Sequence, residues 1–258
     1  MQIGLNLYSI RNLIQTENEF VETCAKLKEM GYDYIQYSGL PIHVDWIKRE
    51  MKEVGLPVRL THVAVDRIID DLPTVIKEHK AFKCKNIGVG GIFGVYGSDY
   101  QEFKNKILEL NAQAEKINNA GFKFFYHNHM HEFQRAENGK TWYDFIIENA
   151  PYVNFTLDTY WVMRGGVDIY EVIEKLKGRV DCVHFKDHSV IVSSEGPTGH
   201  INSECACGDG TLNFAKIFKH VKKAGAKYII VEQDNAALLP NTLEEVEKSV
   251  KYLKNLLK

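Results

Sequence analysis

The sequence lacks any surplus of positive charge. Lysine and arginine number 32 against 34 aspartates and glutamates, a formal net charge of −2. Binding to nucleic acid needs basic residues gathered against phosphates, so no nucleic-acid partner is expected. The chain also lacks an apolar run near the ~18 residues of a spanning helix, and no membrane association is expected. Its first residues, MQIGLNLYSIRN, contain no basic stretch followed by an apolar one. With no secretion signal in view, the expected location is the cytoplasm. Cysteine is sparse and odd in number. Cys24, Cys84, Cys182, Cys205 and Cys207 are scattered, which reads as reduced thiols and not as a disulfide framework. Neither GxGxxG nor GxxxxGK[ST] follows the first candidate strand, so the usual phosphate turn of an open doubly wound sheet is missing. No linker, low-complexity tract or short tandem repeat interrupts the 258 residues.

What is present is a rhythm. Short apolar runs begin near Ile3, Asp33, Val58, Asn86, Lys123, Asn154, Val180 and Tyr228. They are rich in Ile, Val, Phe and Tyr without clean alternation, as parallel strands covered by helices should be. Amphipathic stretches separate them. After Ser98, the residues Tyr100, Phe103, Ile107, Leu110, Ala114 and Ile117 recur every three or four positions and predict a helix with one buried stripe. Leu243, Val246, Val250, Leu253 and Leu257 repeat the pattern near the C-terminus, with Asn241 or Thr242 as N-cap. Met30-Gly31, Val54-Gly55, Ala120-Gly121 and Ala224-Gly225 mark helix ends where a left-handed glycine turns the chain into the next strand. Eight strands alternating with helices in a chain of this length predict one (β/α)8 barrel over residues 1–258. The polar segment 187–210 breaks the rhythm after the seventh strand. It is either a lid over the barrel mouth or a plain surface loop.

Side chains at the C-terminal ends of barrel strands converge on one mouth. Read in turn, those ends hold His62, then His127-Asn128-His129, then Asp158, then His184-Phe185-Lys186, then Glu232. Buried carboxylates are costly unless neutralised together, and a divalent cation does that. Carboxylates with an imidazole form a hard, oxygen-rich donor set suited first to Mn²⁺ or Mg²⁺, with Co²⁺ or Zn²⁺ as alternatives. His43, His79, His200 and His220 fall on helices or loops and are read as surface residues. Cys205-Ala-Cys207 has no partner pair and does not complete a zinc set.

YHNHMHEF (126–133), LDTYW (157–161), HFKD (184–187), GDGTLNF (208–214) and VEQD (231–234) resemble the xylose-isomerase-like sugar phosphate isomerase/epimerase barrels, in the branch that carries YHNHxxEF. NLYSIR (6–11) is similar to that branch's first-strand motif. The resemblance implies metal ligands Glu132, Asp158, His184 and Glu232. His127 is the alternative to Glu132, which is preferred because a carboxylate keeps the charge balance. It implies Glu132 and Glu232 as the acid/base pair of a metal-dependent isomerase or epimerase. Such an enzyme transfers a proton next to a carbonyl, through an enediolate, on a ketose or sugar phosphate. His62, His129 and Lys186 would orient the carbohydrate, Trp161 or Phe93 would wall it, and Arg11 would meet a phosphate or carboxylate. A lyase of the inosose dehydratase or 3-keto-glycoside hydratase kind is the alternative. An apurinic-site endonuclease and a non-catalytic binding barrel are remote ones. The resemblance also allows pairing into a homodimer.

Overall fold

The computed structural model describes residues 1–96, 99–136, 139–192 and 200–258. Barrel strands are β1 (Ile3–Asn6), β2 (Tyr34–Tyr37), β3 (Val58–His62), β4 (Asn86–Val89), β5 (Lys123–His127), β6 (Val153–Asp158), β7 (Cys182–Phe185) and, after an excursion, β10 (Tyr228–Val231). They close in the order β1-β10-β7-β6-β5-β4-β3-β2, every pairing parallel. All eight expected strands are present, and closure excludes the open doubly wound sheet.

Helices at Glu17–Met30, Val44–Glu53, Leu72–Ala81, Tyr100–Asn119, Trp142–Asn149, Ile169–Lys175, Phe214–Ala224 and Thr242–Leu256 return the chain between strands. Their ends follow local chemistry. Thr16 and Glu19 cap the first helix reciprocally, and Gly31 at φ 103° closes it. Asp99 caps the long helix, whose buried residues are the anticipated Phe103, Ile107, Leu110, Ala114 and Ile117. Asn241, not Thr242, occupies the N-cap position of the last helix. Among the described residues no helix is long and apolar enough to cross a membrane.

The segment after β7 departs from the expected irregular loop. Strands β8 (Asp187–Val192) and β9 (His200–Cys205) form an antiparallel ribbon in register from Asp187↔Cys205 to Val192↔His200. The residues between them lie outside the described part, and with them the tip of the supposed lid. Asp187, fully buried, anchors the ribbon base by accepting from the backbone N–H of Gly208 (2.9 Å), Gly210 (3.1 Å) and Leu212 (3.1 Å). A Cβ on Gly210 would stand 2.4 Å from that carboxylate. The GDGTLNF motif is thus a cradle for Asp187.

Three further expectations need adjustment or completion. His79 is not a surface residue: it is buried, with its ring nitrogens bonded to Thr61 Oγ1 and the Val75 carbonyl, both at 2.7 Å. His43 is half-buried against Trp46, His220 is exposed, and the side chain of His200 lies outside the described residues. All five cysteines are free thiols; Cys207 is buried and Cys205 half-buried.

Side chains alternate along a strand, so residues two apart share a face. Inside the barrel, Tyr34, Leu60, Phe125, Cys182 and Ile230 form a buried apolar layer. Two residues further along the same strands stand Gln36, His62, His127, His184 and Glu232. The lumen therefore changes from hydrocarbon to ionisable groups within one pleat. Tyr34 fills the lower layer only because β1 contributes no side chain there: a Cβ on Gly4 would fall 2.1 Å from the Tyr34 ring. Overfilling a packed core costs roughly 1–3 kcal/mol. Gly4→Val is expected to lower stability by about 2 kcal/mol or more in a denaturant titration; an unchanged midpoint would show that the layer is not tightly filled.

Candidate active site

Four strand ends bring His127 (β5), Asp158 (β6), His184 (β7) and Glu232 (β10) together at the barrel mouth. All four are buried, and one ligating atom from each lies within 4.8 Å of the others. His184 Nδ1 is 2.6 Å from Glu232 Oε2, 3.2 Å from His127 Nε2 and 3.8 Å from Asp158 Oδ2. His127 Nε2 is 3.3 Å from Asp158 Oδ2.

Neighbouring groups set the direction of three of them. Gln36 Oε1 lies 2.7 Å from His184 Nε2 and, as an acceptor, fixes the proton there, so Nδ1 faces the cluster. Asp158 uses Oδ1 to cap the Trp161 backbone N–H at 2.9 Å, leaving Oδ2 inward. Its own N–H donates to Asn128 Oδ1, also at 2.9 Å. Asn6 donates to Glu232 Oε2 at 2.6 Å.

Electrostatics follow from burial and company. Burial alone would raise Asp158, but bonding to His127 and His184 outweighs it and holds the carboxyl at about 2. Burial would lower His184, but the Glu232 and Asp158 carboxylates raise it to about 9. Glu232 is held well below the usual carboxylate range, with His184 and Lys186 overcoming its burial. His62 is pushed down by burial and by His127. Burial and His127 also push His129 down, to about 2. The buried Lys186 ammonium faces three carboxylates: Asp234 at 2.5 Å, Glu204 at 3.3 Å and Glu232 at 3.5 Å. One ammonium cannot neutralise three carboxylates. Burial and the Glu232 charge raise Asp234 to about 8, so it keeps a proton at neutral pH.

The expected residues do not all converge. Glu132 is fully buried, yet both of its oxygens are engaged away from the cluster. Oε1 accepts from Tyr96 Oη at 2.5 Å and Tyr126 Oη at 2.7 Å, and Oε2 accepts from the His129 N–H at 2.8 Å. Of the two strand-five candidates, the structure puts His127 and not Glu132 beside the other three. The reason is positional: His127 ends β5 facing the lumen, while Glu132 lies in the 3₁₀ turn His131–Phe133 beyond it. Arg11 is also committed elsewhere. It donates to the carbonyls of Tyr8 (2.7 Å) and Asp234 (2.9 Å) and lies over the Tyr8 ring.

A cavity of about 490 Å³ opens above the cluster, lined among others by His62, His129, Trp161, Phe93, Glu232 and Asp234. Among the described residues, His62 Nε2, His129 Nδ1, Trp161 Nε1 and Asp234 Oδ1 have no hydrogen-bond partner. Four such atoms gathered around one cavity suit a ligand with several hydroxyls. The donor set of two imidazoles and two carboxylates suits a divalent cation: two imidazole nitrogens 3.2 Å apart hold one shared proton at best, and the carboxylates supply the opposing charge. Gln36, Asn6, Asp234 and Glu204 were missed as site residues. Gln36 and Asn6 were detectable, because each is the one polar amide at or next to the end of an otherwise apolar or aromatic strand. Glu204 was not, because it arrives from the ribbon.

The sequence pattern of the xylose isomerase-like TIM barrel family matches residues 24–256. Inosose dehydratase of Clostridium perfringens is 29% identical over an alignment 171 positions long that covers 62% of this chain and 57% of that protein. The match thus spans just over half the length of that relative. A sugar phosphate isomerase/epimerase of Parabacteroides distasonis superposes with a TM-score of 0.81 at 22% identity, over 100% of this chain and 95% of the other. A xylose isomerase-like TIM barrel protein of Mycobacterium smegmatis, in complex with magnesium, superposes with a TM-score of 0.72 at 12% identity, over 99% and 96% of the two chains. These structural likenesses establish a shared fold. With nearly its whole length matched, the chain belongs to the xylose isomerase-like TIM barrel family.

Proposed function

We propose that the protein is a divalent-metal-dependent enzyme that transfers a proton at the carbon beside the carbonyl of a sugar-type hydroxyketone, in the isomerase/epimerase class. The observation that carries this reading is the convergence of His127, Asp158, His184 and Glu232 under a cavity walled by unpartnered polar atoms. In this reading those four residues hold the cation, and Glu132 orients the His129 segment through its tyrosine and backbone bonds. A bound divalent cation supplies Lewis-acid polarisation of a carbonyl and offsets the negative charge of an enediolate.

The protein's own groups divide the proton work. Glu232 stays ionised beside His184 and Lys186, as a base must. Asp234, two residues on and raised to about 8, carries the proton that an acid needs. Two carboxyls pushed in opposite directions by their surroundings are the usual sign of a base and an acid. Lys186 holds both in place, while His62, His129 and Trp161 meet substrate hydroxyls. Base and acid issue from one strand end, so both act on one face of the substrate. That arrangement serves a 1,2-isomerisation directly.

A second reading shares the first step and then expels a β-hydroxyl, with the Asp234 proton going to the leaving oxygen. The similarity to an inosose dehydratase favours it. Incubation of Mn²⁺-loaded protein with ketohexoses and with keto-inositols in D₂O separates the two. Deuterium uptake with a rearranged sugar supports the first reading, and loss of water supports the second. Neither product from any substrate would overturn both. Glu232→Gln is expected to reduce turnover by about 10²–10⁴-fold in either case.

Metal binding has its own test. His127→Ala is expected to weaken Mn²⁺ affinity by more than ~10-fold, whereas Glu132→Gln should keep it within a few-fold, both read by equilibrium titration. The reverse pattern would return the ligand role to Glu132. The proton held by His184 up to about pH 9 competes with a cation at Nδ1. Because that proton must leave, affinity should rise by up to tenfold per pH unit from pH 7 and level off above pH 9. A flat profile would exclude His184 as a ligand.

A further inference from the structure

A second cavity of about 360 Å³ adjoins the first, and the two share Val63, Ala64, Gly90 and Phe93 as walls. The rest of its lining includes Val65, Ile92 and Val95, with Asp66 and Lys106 as the charged members. Lys106 is paired with Glu109 at 2.7 Å. Phe93 stands on the boundary between the cavities. It is 65% exposed and touches His129 edge-on, with ring centroids 5.1 Å apart. A cluster of imidazoles and carboxylates on one side of this ring thus gives way to aliphatic side chains on the other.

The charge of the larger cavity points the same way. Among the described residues its wall has no lysine or arginine but includes Glu232 and Asp234. Lys186 lies fully buried behind it among three carboxylates, and Arg11 is tied to two carbonyls. A phosphate dianion is held by free guanidinium, ammonium or helix N-terminal N–H groups. Here it would face the Glu232 carboxylate instead, with no free cationic side chain among the described residues of the wall.

We infer that the substrate is an unphosphorylated hydroxyketone sugar that carries an apolar substituent on an oxygen away from its carbonyl, an aryl or alkyl group for example, with the sugar over the His127–Glu232 cluster and the substituent beyond Phe93 in the second cavity. This rests on the proposed carbohydrate chemistry of the first cavity and adds its substrate class. The apolar walls gain from covering a ring that water would otherwise surround.

Calorimetric titration of the Mg²⁺-loaded protein with 4-nitrophenyl and methyl β-glycosides of glucose, galactose and xylose, and with glucose 6-phosphate, tests it. In at least one series the nitrophenyl glycoside should bind about tenfold or more tighter than the methyl one. Glucose 6-phosphate should bind no tighter than methyl glucoside. In Phe93→Ala, a change at an exposed position, the nitrophenyl preference should shrink severalfold. Absence of the preference in every series overturns the inference, as does tighter binding of the phosphate. Deuterium exchange on free keto-sugars is read separately. Exchange without a nitrophenyl preference overturns this inference alone; the preference without exchange overturns the proposed reaction alone.

Discussion

Charge buried over hydrocarbon is the constraint on which the rest of the site depends. The barrel lumen is stoppered by Tyr34, Leu60, Phe125, Cys182 and Ile230, so water does not reach the cluster from below. Directly above, Asp158, Glu232, His127 and His184 are brought within 4.8 Å. Isolated carboxylates in such surroundings are strongly disfavoured. The arrangement persists because His184 is bound from outside by Gln36, Glu232 by Asn6 and Lys186, and Asp158 by a backbone N–H, and because the imidazoles supply compensating charge.

The surrounding elements position that cluster. Glycine at position 4 makes room for Tyr34, whose ring completes the stopper. The Asp187 cradle fixes where the ribbon leaves the barrel, and Glu204 from that ribbon reaches back to the Asp234 and Asn235 N–H groups and to Lys186. The ribbon is therefore coupled to the proposed acid through hydrogen bonds and an ion pair. Similarly, the Tyr96–Glu132–Tyr126 cluster holds the His129 backbone at the cavity edge. A carboxylate that reads as a ligand in sequence thus accepts from two phenols and a backbone N–H.

Much of the fold was legible because its causes are local. Strand runs at Lys123–His127 or Tyr228–Val231 advertise themselves by β-branched and aromatic content, and helix ends by a glycine such as Gly31 at positive φ. Asp158, His184 and Glu232 were legible for a related reason: each stands at the C-terminal end of an apolar run, where the barrel mouth must be. The His127–Glu132 ambiguity was not resolvable that way. Four residues separate the two, and which one faces the lumen depends on where β5 stops and how the following turn bends.

The sequence by itself determined the alternation of strands and helices, the barrel, and the strand ends at which ionisable side chains collect, because periodicity and capping act over a few residues. Only the tertiary structure decided that His127 completes the cluster, that Glu132 is held by two phenols, that Lys186 is shared by three carboxylates, and that an apolar cavity opens beside the polar one. Those outcomes depend on contacts between residues as far apart as Asn6 and Glu232. No local pattern encodes such distances; closing the barrel creates them.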